Sequence, residues 1–199
     1  MKKGKKKIRK SNLSTVLFVI GALFLAAALT FTVIRTVSEV TARKKAPTIL
    51  SKMESLMPQI KSGGFDNRTD TSHAMLEVDG ENFIGILELP AYGTKLPVGS
   101  KWAVSELKAY PCRYDGSLYE GNLTVGGKVT AGQFDFMDKV TKYDTVFFTD
   151  VTGKRYSLEV TDVRVTEKMD VEEWQKDCDL VLFSYAEREE YTVVKACFG

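Results

Sequence analysis

Cysteine and histidine, the side chains most often used for covalent and acid–base chemistry near neutral pH, are scarce in the chain, and the candidates taken first are five. They are Cys112, Cys178, Cys197, the single histidine His73, and Tyr185, which ends the apolar run of "DLVLFSYAE". Three cysteines are an odd number, so at least one stays a free thiol or pairs with another chain. No C-x-x-C spacing occurs and His73 stands alone in a polar stretch, so neither a zinc nor a haem site nor any other cofactor is expected. "GNLTVGGKV" lacks the lysine–serine ending and the following helix of a phosphate loop, which argues against nucleotide binding there. Cys112 and Cys178 sit in turn-like contexts and read as structural. Residues two apart in an extended strand share a face, so Cys197 points with Lys195.

The elements that carry these residues are short β-rich runs divided by turn residues. "NFIGILEL" alternates and stops at Pro90, "TKLPV" follows a Tyr-Gly turn, and "GNLTVGG" is framed by glycines. "DTVFFTD" and "KRYSLEVTDVRV" flank the hairpin-like "VTG", and "DVEEWQKD" starts like a helix with Asp170 as its N-cap. "DLVLFSY" and "EYTVVKACF" close the series around the charged turn "AEREE". This pattern predicts a mainly β fold, a closed antiparallel barrel of about eight strands with short helices, which leaves no unpaired edge. Trp102, Tyr110, Tyr114 and Tyr119 line either its mouth or its core.

Charge is unevenly distributed. Seven of the 28 Lys and Arg lie in the first ten residues, while the chain from Arg35 onward carries 21 basic against 26 acidic residues. The acidic body gives nucleic acid no electrostatic footprint. The basic tail runs into Val16 to Ile34, nineteen residues without a charge. As a helix these span about 28 Å, close to the hydrocarbon core of a bilayer. Ala26 to Ala28 is the one candidate cleavage site of a signal peptide, but the apolar run continues through Phe31, Val33 and Ile34, which favours an uncleaved anchor. The charge bias sets the N-terminus in the cytoplasm and the body outside. The expected organisation is a basic cytoplasmic tail (1–12), a transmembrane signal anchor (13–34), a juxtamembrane helical stalk and linker (35–80) and the β-barrel domain (81–199). Pro47 and Pro58 are expected to interrupt the stalk, and Gly63-Gly64 to end it.

The order of "NFIGILELPAYGTKLPV", "YPCRYDGSLYEGNLTVGGKV", "YDTVFFTDVTGKRYSLEV", "DLVLFSYAE" and "EYTVVKACF" resembles the sortase catalytic domain, of a class B/D-like kind, over roughly Glu81 to Phe198. That resemblance implies a membrane-anchored, extracytoplasmic protein of a Gram-positive cell and an LPxTG-like sorting signal as the family's substrate. Sortases form an acyl-enzyme through a cysteine ending "T(L/V)xTC", with a histidine from "AGH" and an arginine from "VxVR". On the resemblance, Lys128 of "TVGGK" stands at the histidine position, Tyr185 of "LVLFSY" at the cysteine position and Lys195 of "TVVK" at the arginine position.

A cysteine thiol has a reference pKa of about 8.5, a tyrosine about 10 and a lysine about 10.4. At neutral pH Tyr185 would be about 0.1% ionised, and Lys128 would be charged and unable to cycle as acid and base without strong desolvation. Lys195 keeps a positive charge but lacks the planar fork of arginine. The expectation is a catalytically degenerate sortase, a pseudo-sortase, that binds a peptide sorting signal, a cell-wall precursor or a partner sortase or pilus protein. Two alternatives stand beside it: an active enzyme with Cys197 or Tyr185 as nucleophile, and a purely structural membrane protein.

Overall fold

The computed structural model describes residues 11–57, 73–103, 105–185 and 190–199. Compactness divides the chain into residues 1–41 and 42–199. One helix, α1 (Ser11–Leu56), begins in the first unit and ends in the second. It continues through Pro47, where an interruption was expected. The hydrogen bond that the proline removes is offset by burial on the same helix of Ala46, Ile49 and Met53, which pack on Phe83, Ile86, Leu107 and Tyr110 of the second unit. Residues 42–57 therefore belong to the barrel unit rather than to a separate stalk. Pro58 and Gly63-Gly64 lie outside the described residues. In the apolar run, side chains are described for residues 16–32, and Leu17, Phe18, Phe24 and Phe31 are exposed. Among the described residues, no helix is long and apolar enough to cross a membrane.

The strands are β1 (Leu76–Val78), β2 (Glu81–Leu89), β3 (Thr94–Gly99), β4 (Cys112–Asp115), β5 (Leu123–Lys128), β6 (Thr145–Asp150), β7 (Arg155–Thr166), β8 (Leu180–Tyr185) and β9 (Tyr191–Phe198). Their order is β1-β2-β3-β4-β5-β8-β9-β7-β6, and β6 pairs back onto β2, so β2 to β9 close an eight-stranded barrel. The expected barrel was antiparallel throughout; this one is mixed. β3 meets β4 in parallel at Gly99 and Cys112, and β5 runs parallel to β8 from Leu123↔Leu180 to Lys128↔Tyr185. A parallel pair needs a long crossover. The β6–β7 hairpin and a short helix, α2 (Val171–Gln175), supply it between β5 and β8. Asp170 caps α2 as expected, its side chain accepting from Glu173 N.

Leu123, Val125, Leu180, Leu182, Val194 and Ala196 fill the barrel interior together with Phe134 and Met137 from the β5–β6 connection. The alternate residues Val181, Phe183 and Val193 pack outward against Trp174 of α2. β8 is thus buried on both faces, which explains why "LVLF" is unbroken apolar rather than alternating. In β7 the alternation breaks at a bulge between Val160 and Asp162, after which Val163 faces the core.

Cys112 is buried on β4 with its Sγ 4.0 Å from Glu106 Oε2. Burial first, and the Glu106 charge second, push its thiol up to about 12. The folded state therefore favours the protonated thiol. Its stabilisation is complete below the ordinary thiol pKa and is lost as the pH rises toward about 12. Thermal midpoints are expected to decline above about pH 9, less steeply in Cys112→Ala, and iodoacetamide at about pH 8 should leave Cys112 unlabelled until the chain unfolds.

Candidate functional site

The parallel ladder of β5 and β8 sets Lys128 level with Tyr185. Along β5, Leu123 and Val125 point into the barrel. Thr124 and Gly126 lie on the outer face, where Gln175 donates to Thr124 Oγ1 and the Trp102 ring rests on Gly126. Lys128 continues that outer row by the period of two. Its backbone is held on both sides. Lys128 O accepts from Thr130 N (2.9 Å) and Phe134 N (3.1 Å). Lys128 N donates to Oε1 of the buried Gln133, and Gln133 Nε2 donates to Leu107 O at 3.2 Å. One buried amide thus ties the end of β5 to the β3–β4 connection.

Lys195 is not brought to this pair. Its Cα partners are Val181 on β8 and Asp162 on β7. Val181 is four residues from Tyr185, or about 13 Å of strand. Lys195 Nζ instead donates to Lys176 O, the C-cap residue of α2, at 2.6 Å. Cations near a helix C-terminus favour this arrangement. Extending the same β8–β9 register two residues past Phe183↔Val193 sets Tyr191 level with Tyr185. Cys197 contacts the same turn as Lys195, Sγ to Asp177 O 3.2 Å, as their shared face requires. One residue beyond Leu180↔Ala196 in that register it is level with Asp179, six residues from Tyr185 and about 20 Å along the ladder. No lysine side chain spans that gap, so Lys128 cannot serve as base to Cys197.

Rings cover the outer face just below Lys128 and Tyr185. Trp102 lies 5.4 Å from Phe183 and 5.2 Å from Tyr114, centroid to centroid. Trp174 lies 5.5 Å from Phe183 and 5.8 Å from Tyr191. Of the four aromatics singled out in the sequence, Trp102 and Tyr114 belong here. Tyr110 is core, its hydroxyl donating to Glu81 Oε2 at 2.5 Å, and Tyr119 lines a small cavity beside Arg113 and Tyr156. A larger cavity of about 450 Å³ opens beside Trp102, lined by His73, Lys101, Arg113, Tyr114, Asp115 and Glu120.

Two features of the structure have no signal in the sequence. One is Gln133. The other is Arg164 on β7, the Cα partner of Val193, whose Nε and Nη2 are buried without a hydrogen-bond partner. These two N–H groups form the edge by which a guanidinium grips a carboxylate. Among the described residues no cluster of three or more His, Cys, Asp or Glu is arranged to hold a metal ion.

No family model and no curated protein matches the chain in sequence. Solved structures do match in fold. Sortase A of Listeria monocytogenes aligns with a TM-score of 0.52 at 16% identity, covering 59% of this chain and 87% of that one. Sortase A of Corynebacterium diphtheriae aligns at 0.53 and 16%, covering 84% and 85%. A sortase D transpeptidase of Clostridium perfringens aligns at 0.57 and 15%, covering 80% and 99%. At these identities the likeness shows a sortase-like barrel fold.

Gln133→Ala should leave the Lys128 N–H and the Leu107 C=O unsatisfied, costing about 2–4 kcal/mol in urea unfolding. Hydrogen exchange at the Lys128 amide should accelerate with it. A Cβ at position 126 collides with the rings of Trp102 and Phe183. Gly126→Ala in a Trp174→Phe background should therefore red-shift the emission of Trp102 as it is displaced toward solvent. Unchanged emission would remove Trp102 from the floor of the site.

Proposed function

We propose that this chain is a membrane-anchored, extracytoplasmic sortase-family protein that has lost transpeptidase activity and binds a peptide at the outer face of the β5–β8 ladder. The observation that carries the reading is the level pairing of Lys128 with Tyr185 on a sortase-like barrel. The positions of histidine and cysteine in the resemblance meet across one parallel ladder, and neither residue present suits acyl transfer. A lysine and a tyrosine offer hydrogen-bond donors to a peptide backbone or carboxylate, but replace the histidine and cysteine that acyl transfer in the family uses. The apolar run from Val16 to Ile34 behind a tail of seven cations supports the anchor and its orientation. The partner fits a sorting-type peptide, a cell-wall precursor or a pilus or sortase component of a Gram-positive envelope.

One observation favours the structural alternative. Trp102 rests on Gly126, in the middle of the outer face, so a ligand there must displace the ring. The two readings separate in one titration. A fluorogenic LPxTG peptide added to the full chain in nanodiscs should quench or shift Trp102 emission saturably, with the affinity weakened several-fold in Lys128→Ala. It should be cleaved no faster than in buffer. Cleavage that disappears in Tyr185→Phe would establish an active enzyme, and an unchanged spectrum at millimolar peptide would leave only the structural role. Alkaline carbonate should fail to extract the chain from its native membranes, and release into the wash would remove the anchor.

A further inference from the structure

The last strand grips the turn after α2 at three points. Lys195 Nζ donates to Lys176 O at 2.6 Å, Cys197 Sγ to Asp177 O at 3.2 Å, and Phe198 N to Asp179 Oδ2 at 2.8 Å. Asp177 holds the turn with a φ of 57°, a conformation unusual for a residue other than glycine. Cys178 is the residue left between these grips. It is buried, and its thiol donates to Trp174 O at 3.1 Å.

The geometry brings two sulfurs within reach. Extending the β8–β9 register one residue beyond Leu180↔Ala196 sets Cys197 level with Asp179, the neighbour of Cys178, and Asp179 N donates to Ala196 O at 3.1 Å. Cross-strand neighbours are about 4.5–5.5 Å apart and successive residues about 3.3 Å, so the α-carbons of Cys178 and Cys197 lie about 6 Å apart. Disulfides span α-carbons of about 4.4–6.8 Å. A second bound comes from Asp177 O, which sits 3.2 Å from the Cys197 sulfur. A carbonyl oxygen is about 2.8 Å from the next α-carbon across a trans peptide, which keeps that sulfur within about 6 Å of the Cys178 α-carbon. Both residues pack into one outer cluster with Trp174 and Phe183, whereas Cys112 belongs to a different one.

We propose that Cys178 and Cys197 form a reversible dithiol–disulfide pair that staples the C-terminal strand to the turn after α2, leaving Cys112 as the odd, permanently reduced cysteine. The oxidant is a low-molecular-weight disulfide, R–S–S–R. Cys197, the more exposed of the two, attacks as thiolate and expels one R–S⁻ to give a mixed disulfide. The Cys178 thiolate then attacks the Cys197 sulfur of the mixed disulfide Cys197–S–S–R, its S–S bond breaks as the Cys178–Cys197 bond forms, and the second R–S⁻ leaves. Two protein thiols lose two electrons and two protons, and R–S–S–R becomes two R–SH. The order follows from environment. Burial pushes the Cys178 thiol up to about 11, which slows it as first attacker, while the nearby Lys195 ammonium opposes that rise. The closed ring lies behind Trp174, so oxidation fixes the helix that covers Phe183. The inference does not depend on the peptide-binding reading.

Full-length chain in nanodiscs is incubated with oxidised glutathione, quenched in acid, denatured, and its thiols titrated and mapped. Three thiols should fall to one, located at Cys112, with a peptide linking residues 178 and 197. The thermal midpoint should rise by about 5–10 °C and return on addition of dithiothreitol. Cys112→Ser should show the same link. Cys178→Ser should stop at a glutathione adduct on residue 197, and Cys197→Ser should retain two free thiols with no link, so either variant suffices if the other fails to fold. Three persisting thiols, a stable adduct on Cys197 in the unaltered chain, or a link that includes Cys112 would overturn the pairing.

Discussion

The architecture depends on the parallel ladder between β5 and β8. Parallel strands cannot be joined by a tight turn, so the chain must leave β5, build the β6–β7 hairpin on the far side, and return through α2 before β8 can pair. That detour covers the outer face of the ladder with Trp174 and the inner face with Phe134 and Met137. Two-sided burial favours an unbroken apolar β8, since each fully buried Leu, Val or Phe contributes about 1.5–3 kcal/mol. It also decides which residues meet. The register, rather than nearness in sequence, sets Lys128 beside Tyr185.

The strands were legible because their signals are local. Proline and glycine punctuate "NFIGILELPAYG", the "VTG" turn joins β6 to β7, and Asp170 caps α2 as its position before "VEEW" implies. Strand direction was not legible. A parallel and an antiparallel barrel draw on the same short apolar runs, and only long-range closure distinguishes them. Lys128 and Tyr185 were brought together in the sequence only by the family resemblance, and the parallel register sets them level. The level of Lys195 could not be read, since it depends on the length of the turn before β9, and the register sets it opposite Val181 instead. The helix through Pro47 was hidden for another reason. The proline's local penalty is outweighed by tertiary burial of Ala46, Ile49 and Met53, and a local rule cannot anticipate that.

The chemistry of the site turns on what a buried amide and three aromatic rings allow. Gln133 uses both ends of its side chain to hold β5 at the height where Lys128 emerges. Below it, the rings of Trp102, Phe183 and Trp174 form an aromatic floor. Lys195 has a task elsewhere, tethering the last turn of α2, which accounts for a lysine at that position without reference to catalysis.

The end of α1 reaches into the barrel unit. Lys45 bridges to Glu81 at 2.5 Å while Glu81 accepts from Tyr110, and Ile49 and Met53 are covered completely. A truncated version beginning at the first long strand would strip that plug away. It would leave Phe83, Ile86 and Leu107 as a greasy scar, prone to self-association for reasons unrelated to the rest of the barrel. The smallest autonomous unit of this protein therefore begins before the strands do, near residue 42.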